Sequence, residues 1–171
     1  IACKEAKKQS TVGLQFLIPV PTQPVFLACG GSLFSMSFVT PTDSVQLLQR
    51  MIGFNTVNRL AEGTLFVEGQ LAQYLEQVAQ AWGFKTDRLT VTGDAYNLLI
   101  SHEVNAQAPW LLFDSHMDTV GVEGMTVPPF AGLVKDGKIW GRGSCDTKGT
   151  GAAMLWALRN AAQSEQLSTN I

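Results

Sequence analysis

The sequence predicts an α/β fold, a mixed sheet flanked by helices, because helical and strand-like segments alternate along the chain. Apolar residues recur every three or four positions in segments that we predict to be helices: 43–53, 66–82 and 148–162. Short apolar segments bounded by glycine, proline or aspartate predict strands between the second and third helices: 89–91, 96–104, 110–113, 132–134 and 139–140.

The first predicted helix has signals at both of its ends. Asp43 or Ser44 can cap its amino terminus, and Gly53 is expected to end it. The face expected to pack on the core carries apolar residues at helical spacing: Val45, Leu48 and Ile52. In the second helix, Gly83 is expected to be the stop. Glutamines fill much of the face opposite the apolar one, which predicts an amphipathic helix lying on a core, with the apolar face made of Val67, Leu71, Leu75, Val78 and Trp82.

The run from Trp110 to Phe113 is continuously apolar, which is typical of a strand buried on both faces of a sheet. It leads directly into a polar segment, 114–119, that contains several titratable residues. Because α/β sheets usually place their sites at the ends of buried strands, we expect a functional site here.

Composition argues against nucleic-acid binding and against a fold held together by disulfides. The chain has 12 basic and 14 acidic residues and no basic run long enough to follow a phosphate backbone, so no nucleic-acid partner is expected. Its three cysteines are odd in number and lack C-x-x-C spacing. This argues against a disulfide framework and favours a reducing compartment, which predicts a cytoplasmic protein.

Residues 1–35 are predicted to be an extension that is either not native to the domain or disordered, because no sustained period is present there. Prolines at positions 19, 21 and 24 interrupt its apolar stretch, whereas a membrane-spanning helix needs about 20 uninterrupted apolar residues. No membrane partner is therefore expected. Lysines ahead of the stretch and Ala28-Cys29 after it leave a secretion or lipoprotein signal as an open alternative.

Two titratable residues after the apolar run can form part of a metal site. Residues two apart in an extended chain point the same way, so His116 and Asp118 are expected to face one side together. A neutral imidazole can bind a metal while a nearby carboxylate accepts its other N–H and fixes the tautomer. Taken alone, so short a pattern also fits a solvated histidine beside a loop aspartate.

A glycine-rich segment, 141–151, leads into the third predicted helix, and its glycines allow positive φ angles and close backbone approach. A phosphate cradle is excluded, because Lys148 is followed by Gly149 rather than Ser or Thr and the glycine spacing differs. A plain connecting loop would not explain why an acid, Asp146, stands just before the start of the predicted helix. The two oxygens of Asp146 can instead bridge two zinc ions.

Together, the segments 115–120 and 141–149 resemble the two amino-terminal motifs of the M20 metallopeptidase family. That family includes acetylornithine deacetylase, succinyl-diaminopimelate desuccinylase, aminoacylases and glutamate carboxypeptidases. Two intervening segments also fit its pattern: 126–130 and 135–141. The resemblance implies that residues 36–171 form the first half of a two-zinc exopeptidase-type catalytic domain, truncated at its carboxyl end.

Carried over position by position, the resemblance gives His116 as a ligand to one zinc and Asp146 as the ligand that bridges two. Asp118 becomes the catalytic-site acid that holds His116. In this family the peptide bond after the bridging aspartate is often cis, which here is Asp146-Thr147. Many relatives carry aspartate where Thr147 stands, but threonine occurs in the deacetylase-like branch. The implied cofactor is zinc, two ions in the intact enzyme, with cobalt as a substitute.

The resemblance implies a zinc-dependent hydrolase of amide bonds that deacylates N-acyl amino acids in the manner of acetylornithine deacetylase. The alternatives are a di- or carboxypeptidase of the same family, and a non-catalytic binding protein on the same fold. The family's general-base glutamate and further ligands are expected beyond Ile171, so we expect this chain by itself to be inactive. The expected partners are a small N-acyl amino acid or peptide and, through a further domain, a second copy in a homodimer.

Overall fold

The computed structural model describes residues 38–58 and 66–171. In chain order its elements are α1 Ser44–Gly53, α2 Gly69–Ala81, β1 Lys85–Thr92, β2 Ala95–Ser101, β3 Leu133–Lys135, β4 Lys138–Trp140 and α3 Lys148–Ala162. All three predicted helices are present. The prediction for residues 1–35 lies outside the described residues. None of the helices in the described part of the chain has the length and apolar character needed to cross a membrane.

Helix α1 begins where the sequence predicts, and it buries Ile52 and partly buries Leu48 as predicted, but its buried face is turned away from Val45. The Asp43 side chain accepts a hydrogen bond of 2.8 Å from the main-chain N–H of Gln46, which caps the helix. Val45, predicted to pack on the core, is 42% exposed. The buried residues are Leu47, Met51 and Ile52. Both sets have helical spacing, and the packing of α3 against α1 favours the observed one.

Helix α2 begins at Gly69 rather than Phe66, because Phe66 has a φ of 55°, which lies outside the helical region. Three of the five predicted apolar residues are buried: Leu71, Leu75 and Val78. Gly83, with a φ of 83°, follows the helix and ends it as predicted. Helix α2 packs on the hairpin formed by β1 and β2.

The strands pair as two antiparallel hairpins, β1 with β2 and β3 with β4. Strand β1 has 8 residues and is longer than the predicted 89–91, because its pairing with β2 extends back to Lys85. In the described residues the parallel part of the predicted mixed sheet consists of isolated bridges: Val57–Thr119 and Trp110–Asn170.

The prediction that residues 110–113 form a strand buried on both faces is wrong. Their side chains are between 47% and 70% exposed. The backbone is nevertheless held beside residue 170, because Leu111 N–H donates to Asn170 O and Asn170 N–H donates to Pro109 O, both at 2.9 Å. The apolar sequence predicted burial because these side chains favour an apolar environment. Within the described residues, however, no helix or strand covers residues 110–113, so they stay exposed.

Lys148, the first residue of α3, connects this helix to the end of α1. Its side chain is only 1% exposed, and its Nζ donates a hydrogen bond of 2.8 Å to the main-chain oxygen of Phe54. Phe54 follows the last residue of α1, where the helix dipole favours a positive charge. Burial lowers the pKa of Lys148 to about 8, because desolvation disfavours the ammonium form.

Replacing Lys148 with methionine should reduce the rise of stability with pH above about pH 8. The unfolded chain keeps this proton up to the ordinary pKa of 10.5, whereas the folded protein releases it near 8. Between these values the unfolded state binds the extra proton, so the free energy of unfolding rises with pH, by at most about 1.4 kcal/mol per pH unit. Urea unfolding of the wild type and Lys148→Met, followed from about pH 7 to about pH 10, measures the difference.

The control is Lys135→Met, which removes an exposed lysine and should leave the pH dependence of unfolding as in the wild type. The same pH dependence in the wild type and in Lys148→Met would contradict the lowered pKa of Lys148.

Candidate metal centre

The candidate site lies between the extended segment 114–120 and the glycine-rich loop 141–147 that precedes α3. Main-chain hydrogen bonds hold the first segment against the end of the loop after α1. Asn58 N–H donates to Thr119 O and Thr119 N–H donates to Thr56 O, both at 2.8 Å. The two segments border a cavity of about 490 Å³.

Two glycines allow the loop to approach its neighbours as closely as the sequence suggested. Gly143 has a φ of 81°, and a Cβ there would lie 2.9 Å from Thr119 Cγ2 and 3.1 Å from Lys148 Cδ. A Cβ on Gly149 would lie 2.2 Å from the main-chain oxygen of Ser144. A larger residue at position 143 would therefore push the loop away from the segment that carries His116, and one at position 149 would push Ser144 away from the start of α3.

The structure brings His116 and Asp146 together across the two segments. His116 Nε2 lies 3.2 Å from Asp146 Oδ1, within the separation of about 4 Å expected for two ligands of one zinc. With zinc bonds near 2.0–2.2 Å and tetrahedral angles, two ligand atoms are about 3.3 Å apart. The observed distance therefore fits a shared metal ion.

Asp118 lies on the other side of the His116 ring. Its Oδ1 and its main-chain oxygen each lie 3.0 Å from His116 Nδ1. Both of these oxygens are acceptors, so the arrangement requires Nδ1 to carry a proton and to donate it. Asp118 thus contacts the nitrogen that faces away from Asp146, as the sequence predicted.

The position of this proton determines whether the facing atoms of His116 and Asp146 attract or repel each other. In a neutral ring with the proton on Nδ1, Nε2 presents a lone pair to the Asp146 carboxylate. Two acceptors 3.2 Å apart repel each other unless a cation lies between them. The metal-free alternative is a doubly protonated imidazolium that forms an ion pair with Asp146. The pair is thus suited either to a bound metal ion or to an ion pair of its own.

Thr147 connects the two segments directly. Its Oγ1 donates a hydrogen bond of 2.8 Å to the main-chain oxygen of His116, and Ser115 Oγ lies 3.1 Å from the same hydroxyl. The Asp146-Thr147 peptide bond is cis, as the family resemblance implied. Sequence reasoning noted Thr147 only as a departure from the common family pattern. Its contact with His116 O spans 31 residues, and nothing local indicates it.

Two side chains near Asp118, those of Asn58 and Glu68, were not predicted from the sequence. Asn58 Nδ2 donates a hydrogen bond of 3.1 Å to Asp118 Oδ2. Burial raises the pKa of the Glu68 carboxyl, and the negative charge of Asp118 adds a smaller increase. Arg142 lines the same cavity, and its buried Nε has no hydrogen-bond partner among the described residues.

Within residues 38–58 and 66–171, no group of three or more His, Cys, Asp or Glu side chains is arranged to hold a metal ion. The described residues thus offer a metal ion two facing ligand atoms, His116 Nε2 and Asp146 Oδ1. A tetrahedral zinc needs further ligands from protein or solvent.

Residues 112–171, which include the three candidate site residues, match Peptidase family M20/M25/M40. The succinyl-diaminopimelate desuccinylase of Beijerinckia indica is 38% identical over 121 residues, covering 67% of this chain and 29% of the relative. A probable succinyl-diaminopimelate desuccinylase of Staphylococcus epidermidis is 30% identical over 135 residues, covering 77% of this chain and 31% of the relative. The chain thus spans about three tenths of the length of these curated relatives.

Solved structures share the fold. An M20 family metallo-carboxypeptidase from Sulfolobus solfataricus matches with a TM-score of 0.61 and 22% identity, covering 76% of this chain and 29% of that one. Human carnosine dipeptidase 1 matches with a TM-score of 0.53 and 19% identity, covering 75% of this chain and 30% of that one. These matches confirm the predicted α/β fold class. From the matching motifs, the relatives and the shared fold, we conclude that this chain belongs to the M20 family of peptidases.

Proposed function

We propose that the full-length protein is a zinc-dependent hydrolase of amide bonds whose metal centre includes His116 and Asp146. The observation that supports this most strongly is the distance of 3.2 Å between His116 Nε2 and Asp146 Oδ1. The Asp118 carboxylate and the Asp118 main-chain oxygen accept a hydrogen bond from Nδ1–H, which leaves a lone pair on Nε2 of the neutral ring. A zinc ion between two such acceptors would remove their repulsion at a separation that fits its bond lengths.

Zinc bound at this position would polarise an amide carbonyl and lower the pKa of its bound water. The protein's own residues prepare the site for it. The Asp118 carboxylate fixes the tautomer and orientation of His116. The Asp146 side chain is 82% exposed, so its second oxygen is accessible to a second ion, as a bridging ligand requires.

For the substrate we propose an N-acyl amino acid, from which the enzyme removes the acyl group. Both curated relatives described above are named as desuccinylases, and desuccinylation is a reaction of this type. The expectation of an acetylornithine-like substrate rests on the resemblance of segment 141–149 to that branch of the family. N-Succinyl-diaminopimelate and N-acetylornithine are therefore the two test substrates.

The second candidate function is a di- or carboxypeptidase, which the names of the two structural neighbours favour. A dipeptide is the corresponding third substrate in the assay. A non-catalytic binding protein would bind zinc but turn over none of the three.

Removing metal from the full-length protein with a chelator should abolish hydrolysis, and added zinc should restore it. His116→Ala and Asp146→Asn should each lower kcat/KM by more than about 100-fold. Loss of a residue that only orients a metal ligand already lowers metal affinity or activity by about 10–100-fold, and loss of the ligand itself should cost more. The measurements are release of the free amino group and zinc content per protein. His102→Gln, which changes the other histidine of the chain, should retain activity. Chelator-resistant hydrolysis, or full activity of Asp146→Asn, would overturn the metal role.

Replacing Asp118 with alanine should lower zinc affinity or kcat by about 10–100-fold without lowering the melting temperature much, because the carboxylate orients His116 rather than filling the core. Asp114→Ala removes an exposed carboxylate four residues away and should leave activity as in the wild type. Steady-state kinetics and thermal unfolding of the three proteins test this. A rate for Asp118→Ala equal to that of the wild type would show that the carboxylate is incidental.

A further inference from the structure

We propose that Asn58 is a positioning residue of the metal centre: its side-chain amide holds the Asp118 carboxylate, which in turn holds His116. The inference rests on the proposed function for the role of His116, but the contact itself is independent of it. Asn58 Nδ2 donates a hydrogen bond of 3.1 Å to Asp118 Oδ2. Asp118 Oδ1 lies 3.0 Å from His116 Nδ1. These two contacts thus join the three side chains in one line that reaches Nδ1 of the His116 ring, and Nε2 on the other side of the ring faces Asp146.

The backbone explains why Asn58 and Asp118 meet. Asn58 N–H donates to Thr119 O and Thr119 N–H donates to Thr56 O, each at 2.8 Å, so the two chain segments run side by side in a fixed register. Thr56 and Thr119 are 0% and 4% exposed, which shields this pairing from water. A shift of the register by one residue would turn the Asn58 side chain away from Asp118.

The two oxygens of Asp118 have separate tasks. With Oδ2 bound by the Asn58 amide, the carboxylate cannot turn freely about its Cβ–Cγ bond, so Oδ1 stays directed at His116 Nδ1. An amide suits this position because it donates a hydrogen bond without carrying a charge. A lysine or arginine would pair with Asp118 and compete with the His116 N–H for its negative charge.

These contacts influence which ring nitrogen of His116 carries the proton. When Asp118 is held, the neutral ring carries its proton on Nδ1 and keeps the Nε2 lone pair for a metal ion. When the Asn58 donor is lost, the carboxylate gains other orientations, and the ring loses its preference for this tautomer. The loss should therefore appear at His116 even in metal-free protein.

The test uses the full-length protein with Asn58→Leu, which keeps a similar size but has no donor, and Asn58→Gln, which keeps the amide. Zinc affinity, measured by competition with a chelator, should fall by about 10–100-fold in Asn58→Leu and by only a few-fold in Asn58→Gln. Two-dimensional NMR of ¹⁵N-labelled histidine reads the tautomer in metal-free protein at a pH where the ring is neutral. The His116 signals are assigned from their loss in His116→Gln. The Nδ1–H form should make up a larger share in the wild type than in Asn58→Leu, in which the Nε2–H form, bonded to Asp146, should gain.

Asn55→Leu is the matched control. Asn55 is exposed, lies in the same loop and accepts a hydrogen bond of 3.1 Å from Val57 N–H, and no hydrogen bond joins its side chain to Asp118. Its loss should alter stability at most, with zinc affinity and the His116 tautomer as in the wild type. Should Asn58→Leu fail to fold, Asn58→Ala, which also removes the donor and adds neither bulk nor charge, gives the same test.

An unchanged tautomer together with unchanged zinc affinity in the donor-free variant would overturn the role of Asn58. A lowered melting temperature as the sole change would also overturn it, because that result shows a purely structural contact. A wild-type protein that binds no zinc would instead contradict the proposed function. The tautomer of metal-free His116 would still decide the role of Asn58 in that case.

Discussion

The contact between His116 Nδ1 and Asp118 determines the chemistry of the candidate site. Because an aspartate oxygen and a main-chain oxygen both lie 3.0 Å from Nδ1, the proton belongs there, and Nε2 is left to face Asp146. With the other tautomer, the Nε2 proton would simply bond to the Asp146 carboxylate and leave no site for a cation. In the neutral ring with its proton on Nδ1, the two facing acceptors would be stabilised by a metal ion between them, whereas the doubly protonated ring would pair with Asp146 directly.

The fold maintains this arrangement with contacts that are distant in sequence. Lys148 ties the start of α3 to the end of α1 through Phe54 O, and Thr147 ties the Asp146 loop to the main chain of His116. Gly143 allows the loop to lie against Thr119 without a clash. The core between α1 and α3 therefore determines where Asp146 lies relative to His116, although neither residue is part of that core.

The sequence predicted the features that depend on neighbouring residues. The Asp43 cap, the end of α2 at Gly83 and the Asp118–His116 contact follow from local spacing, and the resemblance to a family added Asp146. Features that depend on distant partners were missed or mistaken. The buried face of α1 depends on α3, and the exposure of residues 110–113 depends on what covers them. Asn58 lies 60 residues from Asp118, so its role could not be seen before the chain was folded.

The most direct test of the central claim is the position of zinc in crystals of the full-length protein, located by anomalous scattering at the zinc absorption edge. The account predicts a zinc ion about 2.0–2.2 Å from both His116 Nε2 and an oxygen of Asp146, with Asp118 on the Nδ1 side of the ring. Zinc bound elsewhere, with His116 Nε2 hydrogen-bonded directly to Asp146, would contradict it.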